Sequence, residues 1–106
     1  MKVHADLCVI PVGAGVSLAD YIAECQKVLQ EAGLAHQVHA YGTNIEGEWD
    51  EVMAAVKRCH ERVHAIGAPR ISTSLKLGTR TDREQSLQDK IDSVRSKLEK
   101  REKLGE

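Results

Sequence analysis

The spacing of hydrophobic side chains alternates along this chain between the period of a strand and the period of a helix, and this order constrains the fold more than any other feature. Residues 3–12 and 70–79 alternate with period two, and two shorter alternating stretches flank Gly42. Helical stripes separate these stretches. The first stripe is Leu18, Ile22, Cys25 and Leu29, and the second is Val52, Val56, Cys59, Val63 and Ile66. The sequence therefore predicts the order β-α-β-β-α-β.

Capping residues support the predicted helix ends. Ser17 is a predicted N-cap, with the acidic residue Asp20 three positions later. Gly33 supplies the left-handed conformation that ends the first helix, and Gly67 ends the second. Asp50 lies in the first turn of the second helix, where negative charge suits the helix dipole. Both predicted helices are therefore bounded by residues that favour their ends.

A third helical stripe follows the last strand. A helix is predicted from about residue 82 to 102, with Thr81 or Asp82 as its cap and a charged end of mixed sign. The apolar residues of this stripe are Leu87, Ile91, Val94 and Leu98.

This order is that of a ferredoxin-like α+β sandwich with an additional C-terminal helix, and we expect a single domain over residues 1–106. Two helices would cover one face of the sheet. The other face would be mixed in character, and its predicted residues are His4, Asp6, Cys8, Ile10, His39, Tyr41, Ser72, Ser74 and Lys76. Because this face is too apolar in places for simple solvation, we expect it to meet another subunit, the terminal helix or a ligand.

Composition argues against several classes of partner. Only three residues are aromatic, and the net charge is -1, which disfavours proteins that bind nucleic acid by base stacking or by a basic surface. No stretch approaches the roughly 18 apolar residues of a membrane-spanning helix. The three cysteines form no CxxC pair and indicate reduced thiols. We therefore expect a cytoplasmic protein with neither a nucleic-acid nor a membrane partner.

His60, Glu61 and His64 form an HExxH sequence, in which two histidines one turn apart can hold zinc while the glutamate polarises water. No histidine follows His64 to complete such a site. A partly buried His60 with a structural or ligand-facing role is the favoured interpretation. The alternative is an enzyme that uses these three residues with a metal, or His4 and Asp6 as acid and base.

The nine residues from Gly42 to Asp50 combine a hydroxyl, a carboxylate and the only tryptophan of the chain. The face of Trp49 can accept a cation or a heteroaromatic ring. Glu46 or Asp50 can accept hydrogen bonds from an amino group, and Thr43 adds a hydroxyl. This chemistry suits a small aromatic cation. The alternative is a tryptophan that anchors the core beside acidic capping residues.

Six segments together resemble the YkoF-like thiamine-binding proteins, a family long described as uncharacterised. The resemblance runs from about Val3 to Leu98, and its most specific part is G-T-x-I-E-G-x-W-D, supported by R-x-D after the last strand. The segments are V-I-P-V-G, S-L-A-D-Y-I, Y-G-T-N-I-E-G-E-W-D-E-V-M, C-H-E, R-I-S-T-S-L-K-L-G-T-R-T-D and Q-D-K-I-D-S-V. The resemblance implies a ferredoxin-like subunit that assembles into homodimers or homotetramers through its sheets and terminal helix.

The same resemblance implies that the protein binds thiamine or its hydroxymethylpyrimidine moiety without catalysis. The ligand-binding residues that it implies are Thr43, Glu46, Trp49, Ser17 and Asp50. It implies no metal site, no catalytic residue and no cofactor other than thiamine as a possible ligand. Two alternatives stay open: a structural assembly module without a ligand, and a metal-dependent hydrolase that uses the HExxH sequence.

Overall fold

The structure is a computed structural model that describes residues 1–13, 15 and 18–105. Across these residues the chain forms four strands and three helices in the predicted order. The strands are β1 (Lys2–Val12), β2 (Ala35–His39), β3 (Gly42–Glu48) and β4 (Arg70–Gly78). The helices are α1 (Leu18–Glu31), α2 (Trp49–Ala65) and α3 (Leu87–Lys103).

The strands form one antiparallel sheet in the order β2-β3-β1-β4. The first strand is therefore central, with Leu7 opposite both Thr43 of β3 and Leu75 of β4. This arrangement is the ferredoxin-like α+β fold predicted from the order of elements, with α3 as an additional element.

The core lies between one face of the sheet and the pair α1 and α2. Alternate residues of β1, namely Val3, Ala5 and Leu7, are buried there, as the alternation predicted. Ile45 of β3 joins them. The residues that the helices bury against this face are Tyr21, Cys25, Val28, Leu29, Val52, Ala55, Cys59 and Val63. The opposite side of the sheet is left without a helix layer among the described residues, and we refer to it as the open face.

Two predicted helical stripes are only partly buried. In α1 the buried face contains Tyr21 and Val28, whereas Leu18 is 53% exposed and Ile22 is 37% exposed. The helix has two adjacent apolar surfaces, and periodicity alone does not say which of them meets the sheet. At the end of α2, Ile66 follows the last helical residue and is 41% exposed.

The end of α1 shows why Gly33 stops the helix. Gly33 has a φ of +69°, a conformation that glycine adopts without steric cost. Its amide donates to the carbonyl of Gln30 at 3.0 Å, and the amide of Leu34 donates to the carbonyl of Leu29 at 3.2 Å. This pair of bonds is a Schellman motif, which satisfies carbonyls that the helix end would leave unpaired. The predicted cap at the other end, Ser17, lies outside the described residues.

The third helix begins at Leu87, later than the predicted start near residue 82. Its cap is Ser86, whose hydroxyl accepts from the amide of Asp89 at 3.0 Å, while the Asp89 carboxylate accepts from the Ser86 amide at 2.9 Å. This capping box replaces the predicted cap at Thr81 or Asp82. Asp82 instead binds Arg80 with both carboxylate oxygens, which lowers the pKa of Asp82 to about 2.

Helix α3 buries none of its residues, all of which are described. Its apolar stripe is exposed, with 43% exposure at Ile91, 59% at Val94 and 53% at Leu98. The radius of gyration is 16.5 Å, whereas a compact chain of about 100 residues has roughly 13 Å. The extended shape therefore reflects a helix that projects from the sandwich. Neither α3 nor any other described helix combines the length and apolarity that crossing a membrane requires.

Gly42 lies where the hairpin between β2 and β3 approaches β1. A Cβ atom at this position would lie 2.8 Å from the Leu7 carbonyl oxygen and 3.0 Å from Asp6 Oδ1. Because the backbone of the central strand cannot move cheaply, we expect Gly42→Ala to lower the free energy of unfolding by about 1–3 kcal/mol. Urea denaturation monitored by circular dichroism measures this change.

Gly15→Ala is the matched control, because a Cβ atom at Gly15 meets no atom within 4 Å in the described part of the chain. Its free energy of unfolding should stay within about 0.5 kcal/mol of the original value. Equal effects of the two substitutions would contradict the close approach at Gly42.

Candidate ligand-binding cavity

The nine-residue motif from Gly42 to Asp50 is divided between the two faces of the sheet. Successive strand residues point to opposite faces, so Thr43 faces the helices whereas Glu46 lies on the open face. Trp49 is the first residue of α2, is partly buried against the core, and donates its amide to the Met1 carbonyl at 2.8 Å. Asp50 is exposed in the first turn. The motif therefore does not form one contiguous site within a single subunit.

Thr43 borders a cavity of about 230 Å³ between α1, β1 and the β2–β3 hairpin. The pairing of β1 with β3 runs only as far as Leu7 and Thr43, and beyond it β1 pairs with β4 alone. This leaves a space under α1 beside the second half of β1. The lining residues are Leu7, Cys8, Val9, Ile10, Leu18, Ile22, Cys25, Gln26, Val38, His39, Ala40, Tyr41, Gly42 and Thr43. Most of these residues are apolar, including Leu18 and Ile22 of the first predicted stripe.

Gln26 and Thr43 supply a polar pair to this apolar cavity. Gln26 Nε2 donates to Thr43 Oγ1 at 2.9 Å, and Thr43 is only 6% exposed. Sequence reasoning identified Thr43 but missed Gln26. A signal was present, because Gln26 follows Ile22 by four residues and therefore extends the same helix surface.

Two histidine and carboxylate pairs lie on the open face. Glu46 Oε2 is 3.5 Å from His4 Nε2 and 3.6 Å from Lys2 Nζ. That oxygen is buried and accepts no hydrogen bond from the described residues. Asp6 Oδ1 is 2.8 Å from His39 Nε2. His4 and Asp6, weighed above as an acid and base pair, therefore have separate partners.

The histidines of the HExxH sequence have structural partners. His60 is partly buried, and its Nε2 shares a hydrogen bond of 2.6 Å with the Thr73 hydroxyl of β4. His64 Nδ1 donates to the Ala68 carbonyl at 2.7 Å. No group of three potential metal ligands occurs among residues 1–13, 15 and 18–105. The structure agrees with the interpretation of His60 as a partly buried structural residue.

Comparisons with known proteins give consistent matches over nearly the whole chain. A family model described as thiamine-binding protein matches residues 5–95. A UPF0045 protein of Synechocystis is 65% identical over 93% of this chain and 82% of its own length. The UPF0045 protein ECM15 of Eremothecium gossypii is 44% identical over 92% of this chain and 95% of that protein. None of these names specifies a reaction.

Solved structures match the fold. The crystal structure of protein MJ1052 from Methanocaldococcus jannaschii superposes with a TM-score of 0.80 at 32% identity, covering 88% of this chain and 95% of that one. A candidate thiamine biosynthesis or salvage protein from Thermotoga maritima gives a TM-score of 0.76 over 89% of this chain and 99% of its own. At 21% identity, the second match bears on the fold alone.

Proposed function

The chain belongs to the thiamine-binding protein family, and from that premise we propose that it is a cytoplasmic, homo-oligomeric protein that binds thiamine or its hydroxymethylpyrimidine moiety without catalysis. The observation that carries this proposal is the apolar cavity bordered by the hydrogen-bonded amide and hydroxyl of Gln26 and Thr43. Sites for small organic ligands commonly combine apolar walls with a few placed polar groups. The free thiols of all three cysteines fit a reducing compartment.

The volume of the cavity favours one ring of the ligand. An apolar protein cavity of about 150 Å³ accepts benzene, and this cavity measures about 230 Å³. A single six-membered ring with small substituents therefore fits, whereas the two rings of thiamine together do not. In our proposal the aminopyrimidine ring enters the cavity and the thiazolium ring stays at its mouth.

The polar pair suits an aminopyrimidine. This ring places an exocyclic amino donor beside a ring nitrogen acceptor, the same arrangement that glutamine side chains recognise on adenine with two hydrogen bonds. Gln26 has two amide donors and one carbonyl acceptor, and only one donor is needed for the bond to Thr43. Thr43 would hold the amide in the orientation that presents its remaining donor and its acceptor to the ring.

The other implied ligand residues, Ser17, Glu46, Trp49 and Asp50, stay predictions. Glu46, Trp49 and Asp50 do not belong to the described lining of the cavity. Glu46 could contact a ligand only from the open face, where Lys2 and His4 lie beside it. This difference allows Thr43 and Glu46 to be tested separately.

Self-association is proposed on two observations. The apolar stripe of α3 is exposed in the subunit, and the open face carries Ile10 and Val12 with exposures of 46% and 40%. Apolar surfaces of this kind are typical of protein interfaces. A second copy of the chain would bury both, in agreement with the assembly through sheets and terminal helix that the family resemblance implies.

Gln26→Leu should weaken hydroxymethylpyrimidine binding by about fivefold to a hundredfold. The substitution keeps the approximate size of the side chain but removes the hydrogen-bonding groups, and loss of one or two buried hydrogen bonds costs about 1–3 kcal/mol. Thr43→Val should weaken binding by a smaller factor, because it removes only the group that orients the amide. Isothermal titration calorimetry with thiamine and with hydroxymethylpyrimidine measures both effects.

Glu46→Gln is the comparison variant, since it changes the open face and leaves the cavity lining intact. Loss of binding in this variant with normal binding in Gln26→Leu would move the site from the cavity to the open face. No heat and no thermal shift for the unmodified protein at millimolar ligand would refute ligand binding and leave the structural assembly module as the better explanation.

A further inference from the structure

Two thiols face each other where α1 packs on α2. Cys25 of α1 and Cys59 of α2 are buried, with exposures of 5% and 0%. The Cys59 thiol donates to the Cys25 carbonyl oxygen at 3.9 Å, and the two side chains are also hydrogen-bonded to each other. The remaining cysteine, Cys8, follows the buried Leu7 on β1 and therefore belongs to the open face. Cys8 nevertheless borders the same cavity as Cys25, so it is replaced by serine in the test below.

The candidate cavity gives access to one member of this pair. Cys25 contributes to the wall of the cavity, whereas Cys59 does not. A small neutral molecule that enters the cavity therefore meets Cys25 first. Cys59 lies behind Cys25, where the Cys59 thiol can reach the Cys25 sulfur.

The contact between the thiols makes them chemically unequal. The hydrogen bond from Cys59 lowers the pKa of Cys25, and the same bond raises the pKa of Cys59. Since the thiolate is the nucleophilic form of cysteine, Cys25 is the better nucleophile of the two. The accessible thiol is therefore also the more reactive one.

We propose that Cys25 and Cys59 are a redox-active pair, which hydrogen peroxide entering through the cavity converts to a disulfide that joins α1 to α2. Cys25 sulfur attacks one peroxide oxygen, the O–O bond breaks, and the leaving hydroxide takes the Cys25 proton and departs as water. Cys59 sulfur then attacks the resulting sulfenic acid, the S–O bond breaks, and the departing hydroxide takes the Cys59 proton as a second water. Two electrons leave the thiols and reduce one peroxide. The inference does not depend on the identity of the ligand.

Mass spectrometry of the full chain in a Cys8→Ser background tests the proposal. Trypsin cuts after Lys2, Lys27, Arg58 and Arg62, so residues 3–27 carry Cys25 and residues 59–62 carry Cys59. The Cys8→Ser substitution is needed because Cys8 shares the first peptide with Cys25. After peroxide treatment, removal of excess peroxide with catalase and alkylation, we expect these two peptides joined by a reducible bond. Free thiols should fall from two to none, and the melting temperature should rise because the bond constrains the unfolded chain.

Cys8→Ser/Cys59→Ala is the matched control, in which Cys25 should stop at the sulfenic acid and be trapped by dimedone. Ile22→Trp should slow the oxidation, because the larger side chain narrows the route through the cavity. Survival of both thiols under conditions that oxidise free cysteine would overturn the proposal. A disulfide that forms faster in denaturant than in the native protein would overturn it as well, since the native contact would then contribute nothing.

Discussion

Ile22→Trp should reduce the affinity for hydroxymethylpyrimidine more than a hundredfold. Ile22 lines the cavity from α1 and is 37% exposed, so a larger side chain can occupy the space without disturbing the core. An aromatic ring that is excluded from the cavity leaves on the order of 150 Å² of its own surface exposed to water. At about 25 cal/mol per Å² this corresponds to about 4 kcal/mol, and every 1.4 kcal/mol is about tenfold in affinity. Isothermal titration calorimetry is the direct measurement.

Ile66→Trp provides the control for this substitution. Ile66 has a similar exposure of 41%, lies after the end of α2, and does not line the cavity. Its ligand affinity should equal that of the unmodified protein, and both variants should melt within a few degrees of it. Normal ligand binding by a folded Ile22→Trp protein would exclude the cavity as the site, whatever the ligand turns out to be.

The sequence predicted the sheet well. A strand with apolar side chains at every second residue can bury only one of its two faces, so the alternation identifies which face meets the core. The mixed face was predicted to carry His4, Asp6 and Cys8, and the residues between them, Val3, Ala5 and Leu7, are buried on the core side. The buried face of α1 was harder to predict, since Leu18 and Ile22 continue an apolar surface that borders the cavity and not the sheet. Periodicity records that a side chain is apolar, but it does not distinguish a core from a pocket wall.

The candidate site could be predicted only in part. Alternation along β3 already separates Thr43 from Glu46, because three positions on a strand reverse the face. Gln26 became a candidate only through its bond to Thr43, seventeen positions away. A contact of that kind depends on how α1 crosses the sheet, and no local pattern in the sequence specifies that crossing.

Near the start of α3, three residues could each act as the N-cap of the helix. Thr81, Asp82 and Ser86 are all residue types that cap helices. Arg80 binds both carboxylate oxygens of Asp82 at 2.6–2.7 Å and so removes it from that role. Ser86 has in addition an acidic partner three positions later, which completes a capping box. The stronger local motif therefore defined the helix start.

Val94→Asp/Leu98→Asp should convert the assembled protein to monomers. Both residues lie on the exposed apolar stripe of α3, and α3 has no buried residue in the isolated subunit. Burying one such side chain contributes about 1.5–3 kcal/mol, and a symmetric contact between two copies contains each residue twice. We therefore expect the dissociation constant to rise at least about a thousandfold. Size-exclusion chromatography with multi-angle light scattering, over a range of protein concentrations, measures the change.

Ser93→Asp/Ser96→Asp adds the same two charges to the same helix. At 100° per residue these serines point away from the stripe that contains Val94 and Leu98, so the assembly should persist. Circular dichroism should show that all variants keep their helices, because the substituted positions lie outside the core of the sandwich. Two results would contradict an α3 interface: equal dissociation by both double substitutions, or an unmodified protein that is already a monomer at micromolar concentration. The open face is unchanged by either double substitution. A dimer that survives Val94→Asp/Leu98→Asp would therefore assign self-association to the sheet.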